Sequence, residues 1–242
     1  MTQSVEAIPL SNLAVSFLPV VLVLFVLHYW TDEAPTAVKG VGRMVVQLLL
    51  VGYVLTFIFS SDQPAVVTAT LTLMLSIASW IALRPLSTIR SKTYPQVLLS
   101  IAVGGLSTLI LVTQVVLDVD RWYQASVVIP LAGMIFAVSM NTVSLAAERY
   151  QAEKIRGAQH QEARQISLRS ALIPQINSLF AVGLVSFPGM MTGQILSGVT
   201  PLIAVRYQIM VMSMLFGSAG ISAACFLALQ DKNSTTTTQQ KT

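Results

Sequence analysis

Apolar residues fall along this chain in long blocks, separated by short polar breaks. The blocks span about residues 9–28, 41–59, 65–83, 96–117, 124–147, 176–196 and 204–229. A helix needs roughly 20 apolar residues to cross the hydrocarbon core of a bilayer. The pattern therefore predicts an all-α, polytopic membrane protein with about seven transmembrane helices. The sixth block differs from the rest because Pro188 and Gly189 sit inside it. After residue 230 the chain turns polar and unpatterned (DKNSTTTTQQKT). Residues 1–230 are thus expected to form one transmembrane domain, and 231–242 a disordered tail. The opening MTQSVEAIPL carries an acid and no early positive charge, so the first block reads as a retained helix rather than a signal peptide.

Composition sharpens this picture. Hydrophobic residues make up 54% of the chain and charged residues 10%, against about 25% charged in soluble domains. The lone cysteine, Cys225, excludes a disulfide scaffold. A formal charge of +4 in so apolar a chain gives no basis for nucleic-acid binding. The charges that exist are unevenly placed. Arg84, Arg90 and Lys92 follow the third block with no acid among them, and Arg149, Lys154, Arg156, Arg164 and Arg169 follow the fifth. The breaks after the second and fourth blocks hold Asp62, and Asp118, Asp120 and Arg121. Basic loops stay on the cytoplasmic side. With seven spans this predicts an external N-terminus and a cytoplasmic C-terminus.

One connection is long. ERYQAEKIRGAQHQEARQISLRSALIPQINS is rich in helix formers, with Ile166, Leu168, Leu172, Ile173 and Ile176 giving it a partly amphipathic reading. Gly157 should interrupt the helix, and Pro174 should end or kink the second piece. The expectation is a helix leaving the membrane, a turn near Gly157 and a second helix along the surface, over about 148–175. Such a hairpin is either a plain interfacial element or a docking surface for a soluble partner.

Few polar side chains lie within the spans. Arg43 and Gln47, four residues apart, share a helix face, and the arginine can snorkel to headgroups. Ser139, Asn141, Thr142 and Ser144 lie toward the end of the fifth span. An asparagine in hydrocarbon turns toward the bundle interior, as interhelical glue or as a contact for the transported species. Asn177 and Gln194 lie near the two ends of the interrupted sixth span and join Arg43, Gln47, Ser139 and Asn141 as pathway candidates. Glu148 and Arg149 mark a mouth, as a gate pair or an ordinary interfacial pair. Pro188 and Gly189 read as a hinge. Met190 and Met191 offer thioethers better suited to Cu(I) than to hydrated ferrous iron. Neighbours on a helix point about 100° apart, so both can face one ion only if the helix breaks there. His28 falls at a membrane edge and His160 in the long connection, so neither has a membrane-embedded partner for a metal cage, and no Cys-x-x-Cys occurs.

Four stretches carry a family resemblance: RMVVQL (43–48), MNTVSLAAERY (140–150), ALIPQINSLFAVGLVSFPGMMTGQILSG (171–198) and PLIAVRYQIMVM (201–212). Together they resemble the FetB-type permeases, a family that includes plant aluminium-resistance permeases. The likeness covers about residues 10–229. It implies the membrane subunit of an ABC transporter, proposed to export iron, working as a homodimer in a bacterial inner membrane with a separate cytoplasmic ATPase. It also implies that the long connection is a coupling loop, with Gly157 and Ala158 at its turn and Glu162 and Ala163 in the docking helix. Glu148, Arg149, Arg156 and Arg164 are then expected contacts for the ATPase.

No G-x-x-x-x-G-K-[ST] run occurs, so no phosphate loop is at hand to bind ATP. The chain is expected to hold no cofactor and to catalyse nothing itself, with ATP bound at the partner and lipid around the spans. Two other readings compete. A stand-alone secondary carrier would need mid-membrane carboxylates, which the spans essentially lack. A multi-span receptor would suit the large cytoplasmic loop but has little outer surface for a ligand.

Overall fold

Residues 8–59 and 63–239 are described by the computed structural model. The chain divides after residue 60 into two units. In the first, a short helix α1 (Leu10–Val15) leads through Ser16 and Phe17 into α2 (Leu18–Trp30), and α3 (Ala34–Phe59) follows after a three-residue turn. Pro19 occupies the first turn of α2, where a missing N–H costs nothing. Thr31 closes the helix by donating both its N–H and its hydroxyl to the Leu27 carbonyl, at 3.1 and 3.0 Å. α2 packs along α3, yet none of its residues is buried.

The second unit is a helical bundle. α4 (Pro64–Ala82) is followed by a 3-10 turn (Arg84–Ile89), then by α5 (Arg90–Ile110), which widens into a π-helical segment (Leu111–Val116). Leu117 N–H donates to the Val112 carbonyl five residues back, at 2.9 Å. α6 (Ala125–Ile155), α7 (His160–Ala181), α8 (Gly189–Leu196) and α9 (Pro201–Gln239) complete it. The polar segment expected to be disordered lies partly in the last turns of α9, and from 240 on falls outside the described residues.

α5, α6 and α9 form the centre of this unit. Their contact is built from small residues, which let backbones approach where no hydrophobic force separates helix from lipid. Ser100, Gly104 and Thr108 repeat every four residues along α5, and all are buried. Ser139 and Thr142 on α6 and Ser218 and Ser222 on α9 are buried as well. A Cβ added to Gly104 would stand 2.3 Å from Ser222 Oγ and 2.7 Å from Ser222 N, so the two backbones touch there. At the next crossing Gln230 Nε2 donates to Gln96 Oε1 at 2.8 Å, running α9 antiparallel to α5. Most buried hydroxyls return to the carbonyl three or four residues back, as Ser100 does to Gln96 (2.6 Å) and Thr108 to Gly104 (2.7 Å).

Among the described residues six helical stretches are long and apolar enough to cross a membrane: Leu10–Trp30 (α1 and α2 together), Ala34–Leu55, Pro64–Ala82, Arg90–Val116, Ala125–Ile155 and Pro201–Gln230. The protein is an all-α polytopic membrane protein. The expected sixth span at 176–196 is not one of them. In its place α7 starts at His160, runs through Pro174 without ending, and stops at Ala181; α8 begins only at Gly189. The physical reason is that Pro188 falls before the first turn of α8, with φ −63° and ψ 141°. α7 has already closed at Ala181, and Pro188, extended and without an N–H, starts a new helix instead of kinking a continuous one. Seven residues, 182–188, bridge the gap. Gly183 (φ +83°) donates to the Ser186 carbonyl at 3.0 Å. The Ala181 carbonyl accepts from Leu184, Val185 and Ser186 at 3.2, 2.8 and 3.1 Å.

Candidate functional site

α6 and α7 form an antiparallel hairpin whose turn is closed by backbone geometry. Arg156 caps α6, and Gly157 takes the left-handed φ of +87° that a Cβ would resist. Gly157 N–H donates to the Lys154 carbonyl and Ala158 N–H to the Glu153 carbonyl, both at 3.1 Å. This pair of bonds is a Schellman closure. The expected turn at Gly157 is present, but α7 does not lie alone on a surface: it returns along α6 and also packs on α9. Its buried stripe is Ala163, Ser167 and Ala171, one residue per turn. Glu162, Arg164 and Arg169 point outward beside that stripe and are exposed. The acid–alanine pair thus splits, with Glu162 facing out and Ala163 in.

Side chains brace the same turn. Glu153, only 6% exposed, accepts from Arg149 at 2.7 Å and from Arg156 at 3.3 Å. Tyr150 Oη lies 2.8 Å from His160 Nδ1, with the rings edge to face. Neither pairing was anticipated from sequence, although Arg149, Glu153 and Arg156 stand at i, i+4 and i+7, the spacing that brings opposite charges together on one helix face. Glu148, expected to pair with Arg149, is exposed instead, because one step along a helix turns it about 100° away. Through the antiparallel packing, the 3-10 turn with Arg84 and the start of α5 with Arg90 and Lys92 lie at this same end. There the Arg90 guanidinium stacks 3.6 Å over the Trp80 ring and donates to the Trp80 carbonyl.

The pathway candidates do not converge. Arg43 and Gln47 are exposed on α3 in the first unit. Asn141, with Thr142 and Ser144, does face α7: together with Pro174 and Gln175 they line a cleft of about 380 Å³ between α6 and α7. Ser139 lies elsewhere, wholly buried, with no hydrogen-bond partner for its hydroxyl among the described residues. Asn177 is exposed on α7. Gln194, half-buried on α8, likewise has an unpartnered buried Oε1.

At the far end of the bundle the break before Gly189 sets Met190 on the first turn of α8. Met190 lines a cavity of about 410 Å³ between α6, α8 and α9, together with Met134 from α6 and Met210 and Tyr207 from α9. Met191, its neighbour, is not among the lining residues, because the two still sit on one helix and point apart. The expected pair is therefore replaced by a different grouping, which no local spacing could have disclosed: Met134 and Met210 lie far from Met190 in the chain. Among the described residues no three His, Cys, Asp or Glu side chains gather into a metal-binding cluster.

Six apolar helices of spanning length, a charged hairpin at one end of a small-residue bundle and a broken return at the other define a multi-pass membrane protein. The chain belongs to the UPF0014 family: the profile described as "Uncharacterised protein family (UPF0014)" matches residues 10–234. The chain is 37% identical over 210 residues to the "Probable iron export permease protein FetB" of Escherichia coli, covering 78% of each chain. It is 36% identical over 186 residues to the "UPF0014 membrane protein slr1647" of Synechocystis, covering 71% of this chain and 72% of that one. It is 28% identical over 223 residues to the "Protein ALUMINUM SENSITIVE 3" of Arabidopsis thaliana, covering 85% and 80%. Relatives thus occur in both bacteria and plants. No solved structure matches the chain.

Proposed function

We propose that this chain is the membrane-spanning subunit of an ATP-driven exporter of iron or a related metal. In this reading it is a homodimer in a bacterial inner membrane, and the α6–α7 hairpin receives a separate ATPase. The observation that carries the reading is the hairpin. Its turn is fixed by Gly157 and by the Arg149–Glu153–Arg156 group, while Glu162, Arg164 and Arg169 stand exposed on its outer face. A rigid, outward charged surface is what a soluble partner needs to grip, and bracing lets a push on α7 reach α6 and α9 without melting the turn. The basic residues gathered at this end favour a cytoplasmic orientation. The bacterial relative named a probable iron export permease supports the cargo class.

The test is ATP hydrolysis by the cognate ATPase in proteoliposomes, with and without this chain, across iron, copper, zinc, manganese and aluminium. Metal-stimulated hydrolysis is expected only with the chain present. Charge reversal at Glu162 and Arg164 together should reduce it by about tenfold, the effect of losing about 1.4 kcal/mol of docking energy. Hydrolysis indifferent to the chain under every condition would overturn the proposal.

A further inference from the structure

Three of the ten methionines in the chain line one cavity, and they come from three different helices. Met134 lies in the third turn of α6, Met190 on the first turn of α8 and Met210 in the third turn of α9. Nothing in helix periodicity brings these positions together; the break at 182–188 does, by delivering the start of α8 beside α6 and α9. The rest of the lining is apolar apart from Tyr207 and Ser126. Pro130, also in the wall, has no N–H to offer the Ser126 carbonyl four residues back. Hard cations such as ferric iron, aluminium, magnesium or calcium need carboxylates or many oxygens, and the wall holds no acid. Thioethers are soft, neutral donors. They do not compete for protons, and they select Cu(I) and its heavier congener over harder divalent ions.

We propose that Met134, Met190 and Met210 form a thioether site for a soft monovalent cation of the Cu(I)/Ag(I) class. A monovalent charge suits the place, because neutral ligands leave only one positive charge to be held in apolar surroundings. The break in the α7–α8 return is then the element that completes the site, since Met190 reaches the cavity only where the chain restarts. This inference goes beyond the export reading and does not depend on it: binding needs neither ATP nor a partner.

The test uses the full chain in lipid nanodiscs, without ATPase, in chloride-free buffer and with Cys225→Ser as background to remove the one thiol. Titration calorimetry with silver nitrate is expected to show one Ag(I) per chain. The triple variant Met134→Leu, Met190→Leu, Met210→Leu conserves volume and should weaken binding at least about tenfold at unchanged helical content. Met191→Leu should bind as the background protein does. Equal Ag(I) affinity in background and triple variant would overturn the proposal. Should the triple variant lose its fold, X-ray absorption of the Cu(I)-loaded background protein decides. Sulfur in the first coordination shell sustains the site, and a shell of oxygen and nitrogen alone overturns it. Export measurements with the ATPase address the other reading, so either can fail alone.

Discussion

The α2–α3 pair and the α5–α6–α9 bundle are both made of long apolar helices, yet they solve different problems. Within its own unit α2 has no buried residue, whereas half of the α6 window is buried. α2 is apolar on every side and carries large residues almost throughout, so each of its faces is as comfortable against lipid tails as against protein. In the bundle, Gly104, Ser139, Ser218 and Ser222 give up side-chain volume to bring backbones together. Hydropathy marks a helix as able to cross a membrane; small residues decide which helices pack.

A single methyl group added at three glycines should break this contrast open. The largest effect is expected at Gly104→Ala, where the new Cβ meets Ser222 Oγ, Ser222 N and the Ser218 carbonyl at 2.3, 2.7 and 3.0 Å. Backbone cannot rotate aside as a side chain can, so α5 and α9 must separate at a cost of about 1–3 kcal/mol, read as an earlier midpoint in SDS-induced unfolding. Gly157→Ala comes next. Its Cβ meets nothing within 4 Å, but φ of +87° is strained for alanine, and about 1 kcal/mol should be lost. Local loosening should show as faster hydrogen exchange at the α6–α7 turn. The smallest effect, of opposite sign, belongs to Gly42→Ala on α3, where nothing lies within 4 Å and the backbone is helical. Replacing a mid-helix glycine there should stabilise by about 0.5–1 kcal/mol. A Gly42→Ala variant as disruptive as Gly104→Ala would mean that α3 is tightly packed too, and would erase the distinction between the regions.

Much of this architecture was legible in the residues. Blocks of apolar sequence located the six long helices, though α3 and α5 begin six or seven residues earlier and α6 runs eight residues further; Gly157 marked its turn, and the exposed positions of Glu162 and Arg164 agree with their polarity. What was hidden depends on distance along the chain. Pro174 reads locally as a helix breaker, yet α7 continues past it because packing on α6 and α9 holds both halves in line. Pro188 reads as a kink within one span, yet it separates two helices, since the bonds to the Ala181 carbonyl close the chain before it arrives. The cavity methionines were invisible for the same reason: Met191 is next to Met190 in sequence, but Met134 and Met210 are next to it in space.

The bend at 182–188 has one more property. All five N–H groups of residues 182–186 are donated to carbonyls of the same segment or of the end of α7. Its tip, meanwhile, presents Leu184, Val185 and Phe187 at 87%, 84% and 69% exposure. Irregular backbone is ordinarily confined to water because open donors cost several kcal/mol each in oil. Here the donors of those five residues are occupied and the outer surface is greasy. The carbonyls of Val182, Gly183, Leu184, Val185 and Phe187 accept no backbone hydrogen bond from the described residues, so the bend is held to a depth at which those oxygens still reach headgroups or water while its greasy tip lies against the tails.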